Sequence, residues 1–134
     1  MAIDSAEQRG YGVSLTNPGA WSVSIERWSD NILVVELQDD PAFTDDLSAL
    51  VDELDSKKDV DVVLSFAGVN YLNSSNLAKL LTLLKKLTGN RRRLVLCGIN
   101  TKAWGLFLAT GLDKVFEFAD NVATGLASIQ IEPE

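Results

Sequence analysis

Four polar residues in a row, Asn73, Ser74, Ser75 and Asn76, stand directly before the most leucine-rich stretch of the chain. Asn and Ser side chains commonly cap the first turn of a helix, because their oxygens accept hydrogen bonds from N–H groups that have no partner inside the helix. A serine hydroxyl at such a corner is exposed, and the helix dipole there tolerates an added anion. The segment is therefore the first candidate site, either as a simple cap or as a place where a negative group can be accommodated.

Two charged clusters are further candidates. Asp39, Asp40, Asp45 and Asp46 offer the oxygen ligands that a hard cation prefers, but no glycine-containing calcium-loop pattern accompanies them. Acids also favour the start of a helix, which accounts for two of the four. The pattern therefore favours ordinary surface acids over a metal site. The run Arg91–Arg93 follows a predicted helix end, where cations are favourable, and is predicted to be a solvated turn.

Composition narrows the chemistry further. The chain has 134 residues, no histidine and a single cysteine, Cys97. The lack of histidine excludes His-dependent triads and HExxH-type metal sites, and a lone cysteine in an apolar run is expected to be a core side chain. The net charge of -7 argues against nucleic acid and anionic membranes as partners, because both require a basic surface. We expect no enzyme activity, no metal and no cofactor.

The elements that position these residues alternate between strand and helix. Continuous apolar runs predict buried strands, and apolar residues three and four apart predict amphipathic helices. The predicted elements are a hairpin over 21–37, a helix capped by Thr44 with the stripe Leu47, Leu50, Val51 and Leu54, a strand over 61–66, a helix from Asn73 with the stripe Leu77, Leu80, Leu81, Leu84 and Leu87, a strand over 94–97, a helix over 101–110 ended by Gly111, a strand over 115–118, and a helix over 121–129 capped by Asp120 or Asn121.

This order predicts an α/β fold with a mixed, mostly parallel sheet of four to five strands and about four helices. Val62, Leu64, Val95 and Cys97 are expected in its interior. Residues 1–20 are predicted to be a flexible arm or an extra edge strand, and residues 21–134 the folded domain. No apolar run reaches the roughly 18 residues of a membrane span, and no secretory pattern opens the chain, so a cytoplasmic location without membrane insertion is expected.

The third predicted helix carries an unusual pair. Its sheet-facing stripe is predicted to be Ala103, Leu106, Phe107 and Thr110. Trp104 and Leu108 then lie on a neighbouring face that points away from the sheet. Exposed apolar patches often mark partner surfaces. Trp104 is therefore predicted to be at least partly exposed in an isolated monomer, and the pair to take part in self-association or in a partner contact. The alternative is that the final helix or the N-terminal arm covers both side chains.

Two segments resemble the STAS domain of bacterial anti-sigma factor antagonists, over about residues 22–130. The segment LNSSNL over 72–77 is similar to the family's apolar-Asp-Ser-Ser/Thr-Gly-Leu, and LFLATGLDKVF over 106–116 is similar to its Leu-Phe-x-x-Ser/Thr-Gly-Leu-x-x-Ile/Val-Phe stretch. Asn73 replaces the family's aspartate and Asn76 its glycine, and the family's Gly-x-Leu-Asp loop before the first helix is missing.

The resemblance implies a protein–protein interaction module that binds an anti-sigma factor acting also as a serine kinase. By position the residue phosphorylated by that partner is Ser75, with Ser74 as the alternative, and the partner surface includes residues 73–76. A helix cap without phosphorylation is the competing interpretation. The alternative function is a non-switching STAS subunit of a larger assembly, such as a stressosome-like complex or a lipid-transport ATPase.

Overall fold

The computed structural model describes residues 25–130, which form one mixed sheet and four α-helices. The strands are β1 Ile25–Ser29, β2 Ile32–Gln38, β3 Asp61–Gly68, β4 Leu94–Cys97 and β5 Glu117–Ala119. The helices are α1 Ala42–Ser56, α2 Ser74–Gly89, α3 Thr101–Thr110 and α4 Val122–Gln130, with a 3₁₀ turn over Leu112–Lys114. The predicted α/β class is confirmed. The candidate arm over 1–20 lies outside the described residues.

The sheet is ordered β1-β2-β3-β4-β5. β1 pairs antiparallel with β2 through a tight turn, and every later pair is parallel. Parallel neighbours need a crossover, and α1, α2 and α3 supply the three that occur here. Each crossover moves one strand further in the same direction. Because parallel crossovers share the same right-handed sense, all three helices lie on one face of the sheet.

The core is divided between the two faces of the sheet. One face packs against α1, α2 and α3, and the other against α4. β3 is central and its first six residues are all buried, as expected for a strand covered on both sides. The predicted interior positions are confirmed, because Val62 and Leu64 line the first face, Val95 and Cys97 line the second, and all four are buried.

α4 lies unusually close to the sheet at Gly125. A Cβ added there would stand 2.7 Å from Cys97 Sγ and 3.4 Å from Val95 Cγ1. Both neighbours are buried and cannot move into solvent. The absence of a side chain at this position is therefore what lets α4 cover the second face. The same contact confirms Cys97 as a core residue, and burial raises the pKa of its thiol to about 11.

Two helix predictions need correction. Thr44 is not an N-cap, because α1 begins at Ala42 and the Thr44 N–H donates to Asp40 Oδ1. In α2, Leu83 is buried and Leu81 is exposed, the reverse of the predicted stripe. At about 100° per residue, Leu81 lies roughly 100° or more from the centre of the buried face. Several leucine stripes can be drawn on this helix, and only packing against the sheet selects one of them.

The last strand is also displaced from its predicted position. β5 begins at Glu117, because the chain forms a 3₁₀ turn after Gly111 and the Val115 N–H donates to the Leu112 carbonyl within that turn. Val115 is consequently exposed. Gly111 ends α3 as predicted, in the left-handed conformation with φ 77°. Asn121 caps α4, since its Oδ1 accepts from the Thr124 N–H at 2.8 Å.

The predicted solvated turn is found only at Arg91, which is exposed in a turn, whereas Arg92 and Arg93 are half-buried. Arg92 Nη2 lies 3.0 Å from Asp61 Oδ2, and the Arg93 N–H donates to Asp61 Oδ1 at 2.8 Å. The Arg93 guanidinium also pairs with Glu117 and donates to the Ser128 carbonyl at 3.2 Å. Asp61 is buried at the start of β3, and a buried carboxylate requires such partners. These arginines therefore join the starts of β3 and β4 to β5 and α4.

Candidate functional site

The N-terminus of α2 is closed by a reciprocal cap. Asn73 is the N-cap residue, and its Oδ1 accepts from the Asn76 N–H at 2.9 Å. In return, the Asn73 N–H donates to Asn76 Oδ1 at 3.0 Å. This is a capping box in which two asparagines fill the roles usually taken by Ser or Thr and Glu or Gln. The predicted helix start is confirmed, and its geometry is held from both sides.

Ser74 and Ser75 occupy the first two positions of α2, and both are exposed. Backbone N–H groups in the first turn of a helix point towards this end, so an anion added to either hydroxyl meets a favourable field. The cap is formed by the asparagines on either side of the two serines. The hydroxyls are therefore not needed as caps, and this removes the main structural reason for a serine at either position.

Asn76 is only 3% exposed, so its side chain lies beneath the surface that the two serines form. Its Nδ2 donates to Asp40 Oδ2 at 3.0 Å, while Asp40 Oδ1 accepts from Thr44 Oγ1 at 2.7 Å and from the Thr44 N–H at 3.0 Å. These hydrogen bonds lower the pKa of Asp40 below its ordinary value, with the largest contribution from Asn76 and smaller ones from Thr44. Asn76 therefore joins the start of α2 to the start of α1. We predicted Asn76 as a partner contact, and its burial makes it a support for that surface.

Asp39 makes a second connection. Its Oδ1 accepts from the Asn70 N–H at 2.8 Å and the Tyr71 N–H at 3.1 Å, and its Oδ2 accepts from Asn70 Nδ2 at 2.9 Å. The side-chain bond from Asn70, followed by the two backbone bonds, lowers the pKa of Asp39. The loop after β2 is therefore fastened to the loop after β3 by an ionised carboxylate.

A third loop joins the same surface. Asn100 caps α3 by accepting from the Ala103 N–H at 2.8 Å, and its Nδ2 donates to the Val69 carbonyl at 2.9 Å. Lys102 Nζ lies 5.2 Å from the centroid of the Tyr71 ring, within cation–π range. The loops after β2, β3 and β4 thus form one hydrogen-bonded network at the carboxyl end of the sheet, and the two serines stand on it.

This network was not predicted from the sequence. Its carboxylates were interpreted as surface acids, and a cation site was the alternative. Among residues 25–130 no group of three potential ligands is arranged to hold a metal ion, and Asp39 and Asp40 accept hydrogen bonds from amide and hydroxyl donors instead. A usable signal was present, since each of the three loops directly follows a parallel strand and such loops meet at one edge of the sheet.

The predicted apolar pair on α3 is only half as expected. Leu108 is 52% exposed. Trp104 is half-buried, because its ring packs edge-on against Phe118 of β5, with centroids 4.9 Å apart, and also lies near Phe107. The expectation that Trp104 points away from the sheet is therefore wrong, because a side chain of β5 covers part of its ring, whereas the prediction that it is partly exposed is confirmed. Ala103 and Phe107 face the sheet as predicted, whereas Leu106 is half-buried and Thr110 exposed.

A pH dependence follows from the two depressed pKa values. An aspartate whose folded-state pKa lies below its unfolded value of about 3.9 stabilises the folded state above that pH, and the contribution is lost as pH falls through the folded-state pKa. We therefore expect stability to fall below about pH 4 and Asp39→Asn to flatten part of that dependence. Urea unfolding at a series of pH values measures both. Asp52→Asn, which removes an exposed carboxylate of α1, is the charge-matched control, and an equal flattening there would contradict the assignment.

None of the four helices between residues 25 and 130 combines the length and apolarity needed to span a bilayer.

A shallow groove of about 190 Å³ separates α1 from α2, lined by Leu47, Ser48, Val51, Asp52, Lys79 and Thr82. The groove therefore lies beside the exposed side of α2. Its lining is mixed, with apolar residues between one acid and one base.

Comparison with solved structures returns proteins of the same fold. The Thermotoga maritima protein TM1081 superposes with a TM-score of 0.69 at 15% identity, covering 79% of this chain and 92% of its own. A STAS-domain anti-sigma-factor antagonist protein from Planctomyces limnophilus gives 0.67 at 14% identity, covering 76% and 93%. The Bacillus cell-fate determinant SpoIIAA in its phosphorylated form gives 0.56 at 18% identity, covering 71% and 88%. At these identities the likeness establishes the fold alone.

A comparison with curated protein sequences finds no match. The family model described as "STAS domain" matches residues 23–125, which span all five strands and the first three helices. The matched range includes the start of α2, where Ser74 and Ser75 lie. The chain belongs to the STAS domain family.

Proposed function

We propose that this chain is an anti-sigma factor antagonist: a binding module for a serine-kinase anti-sigma factor, released from that partner when Ser75 is phosphorylated. The observation that carries the proposal is the exposure of Ser75 on a helix start whose capping is done entirely by Asn73 and Asn76. Membership of the STAS family and the structural likeness to SpoIIAA in its phosphorylated form support it.

The proposed switch requires no refolding. A phosphate adds about -1.5 to -2 charges at a helix N-terminus, where the dipole favours an anion. Because the capping box and the Asp40 bond hold the backbone independently of the hydroxyl, the added group changes the surface and leaves the helix in place. A partner that had buried the neutral serine must then desolvate a dianion. This cost is what releases the partner.

The partner surface that we propose is centred on the exposed Asn73, Ser74 and Ser75. The α1–α2 groove, to which Lys79 of α2 contributes, extends it along the same helix. Lys79 lies four residues after Ser75, the spacing at which a cation can face an added phosphate on a helix. No step of the proposal requires catalysis by this chain, and the phosphate comes from the kinase.

A second candidate, the non-switching STAS subunit of a larger assembly, is favoured by one observation. Asn76 packs a bulky amide under the serine surface and bonds it to Asp40, where the family pattern has a glycine. Because this bond holds the start of α2 in place, the surface is as compatible with permanent docking as with a switch. Phosphate incorporation separates the two candidates. Incubation with serine-kinase anti-sigma factors and ATP, followed by mass spectrometry, locates the modified residue if there is one.

Substitution at Ser75 tests the proposal directly. Ser75→Asp is expected to weaken binding to a cognate anti-sigma factor by about 2 kcal/mol, at least tenfold in Kd, because a buried interfacial charge must be desolvated. Ser75→Ala is expected to bind as the unmodified protein does and to resist release by ATP. Isothermal titration calorimetry measures both affinities. The pair Ser74→Asp and Ser74→Ala is the positional control, and equal affinity of Ser75→Asp and Ser75→Ala would remove Ser75 from the mechanism.

A further inference from the structure

The outward face of α3 carries small and apolar residues beside one lysine and, apart from the contact of Lys102 with the Tyr71 ring, has no partner within residues 25–130. It consists of Thr101, Lys102, Gly105, Leu108 and Ala109, all of them exposed, and we refer to it as the α3 face. Gly105 lies at its centre and Leu108, one turn further along, is 52% exposed. The face contains no acid, although the whole chain has a net charge of -7. It therefore differs in character from α1, whose sequence is rich in acids.

Nothing within residues 25–130 explains a glycine at position 105. A Cβ built there meets no heavy atom of the described residues within 4 Å, and its backbone is not in the left-handed region that favours glycine. Glycine is less favourable than alanine inside a helix, so the position costs stability in the isolated molecule. A glycine on an exposed helix face permits another backbone to approach closely. Together with the exposed Leu108 beside it, this makes the α3 face a surface shaped for a helix.

We propose that the α3 face is a homodimer interface, in which two copies pack their α3 helices antiparallel about a twofold axis. With the axis near the level of residues 106–107, Leu108 of each copy lies opposite Gly105 of the other, so that a projecting side chain enters a gap on both sides. Lys102, in the first turn of α3, then lies at the C-terminal end of the other helix, where the helix dipole favours a cation. The face is thus complementary to itself in shape and in charge.

Charge also favours a second copy of the chain as the partner of the α3 face. Two molecules that each carry -7 repel one another through most of their surfaces, and a face without acids is where they can meet. A standard stable interface needs about 800 Å² on each partner, and a helix of ten residues, about 15 Å long, supplies much less. We therefore expect a weak, reversible dimer with a Kd of about 100 μM, strengthened by added salt because salt screens the repulsion.

Sedimentation equilibrium of the full chain, from low micromolar to about 1 mM and at two salt concentrations, measures the association. Leu108→Glu is expected to raise the dimer Kd at least tenfold. Leu81→Glu adds the same charge at an exposed leucine of α2 and is expected to leave the Kd unchanged. Because Leu108 is exposed, its replacement should leave the melting temperature of the dilute protein unaltered, which separates loss of association from loss of folding.

Gly105→Leu gives a result that a purely structural role cannot produce. The side chain meets no atom of the described part of the chain, so the melting temperature of the dilute protein should rise. The dimer Kd should increase at least tenfold because the close approach is blocked. A chain that stays monomeric throughout, or a dimer that Leu108→Glu does not weaken, would overturn the proposal. A monomer whose binding to the anti-sigma factor is weakened by Leu108→Glu would also overturn it, and would assign the α3 face to that partner.

Discussion

Gly125→Ala is expected to destabilise the protein by about 2 kcal/mol, although alanine is the better helix former. The added Cβ would stand 2.7 Å from Cys97 Sγ, and the neighbouring Val95 and Val63 are fully packed. Either α4 must move away from the sheet or Cys97 must leave its position. Both changes lose contacts over the whole second face. Chemical denaturation with a two-state fit measures the loss.

Gly105→Ala is the matched control, since it makes the same substitution inside a helix at a position where a Cβ meets none of residues 25–130. It is expected to stabilise the dilute protein by up to about 1 kcal/mol, the usual difference between the two residues. Cys97→Ala in the Gly125→Ala background removes the clashing sulfur and should recover part of the loss, which a double-mutant cycle measures as a coupling. Equal effects at Gly105 and Gly125 would mean that α4 does not depend on this close approach.

Asn76→Asp is expected to cost about 2 kcal/mol at neutral pH, because it replaces a donor to Asp40 by a second carboxylate at a buried position. Two carboxylates at such a distance share a proton, so the folded state favours protonation and the loss should diminish as pH is lowered towards 5 or so. Thermal unfolding of the variant across this pH range is the measurement.

The same unit of charge at the neighbouring cap position provides the control. Asn73→Asp keeps an acceptor for the Asn76 N–H, and aspartate and asparagine are about equally good at an N-cap, so little change in stability is expected. Combining Asn76→Asp with Asp40→Asn reverses donor and acceptor across the contact and should restore most of the stability. A double variant as unstable as Asn76→Asp alone would show that the amide–carboxylate bond does not join α1 to α2.

The order of strands and helices was predictable because it depends on local signals. The strand Leu94–Cys97 and the helix Thr101–Thr110 have their predicted bounds. A continuous apolar run, an asparagine cap and a glycine that adopts the left-handed conformation each act within a few residues of chain. The capping segment at Asn73 was identified for the same reason, and the family resemblance was carried by two such short segments.

The errors arose where side chains choose between several surroundings. Leu81 and Leu83 both fit a helical stripe, and the sheet buries only the second. Trp104 fits an outward face by periodicity, yet Phe118 of β5 lies within reach of its ring. Helical spacing determines which residues share a face. It carries no information on what another element places beside that face.

The candidate site shows the same division between local and tertiary determinants. Residues 73–76 predicted that two serines lie at the start of a helix, because helix capping depends on residues within one turn. The sequence did not predict that Asn76 is buried and bonded to Asp40, which lies 36 residues earlier. It also did not predict that Asp39 accepts hydrogen bonds from Asn70, which lies 31 residues later. These bonds exist because parallel strands bring the loops at their carboxyl ends together. The pairing order of the strands is a property of the whole sheet, so only the tertiary structure decides which polar side chains meet beneath Ser75.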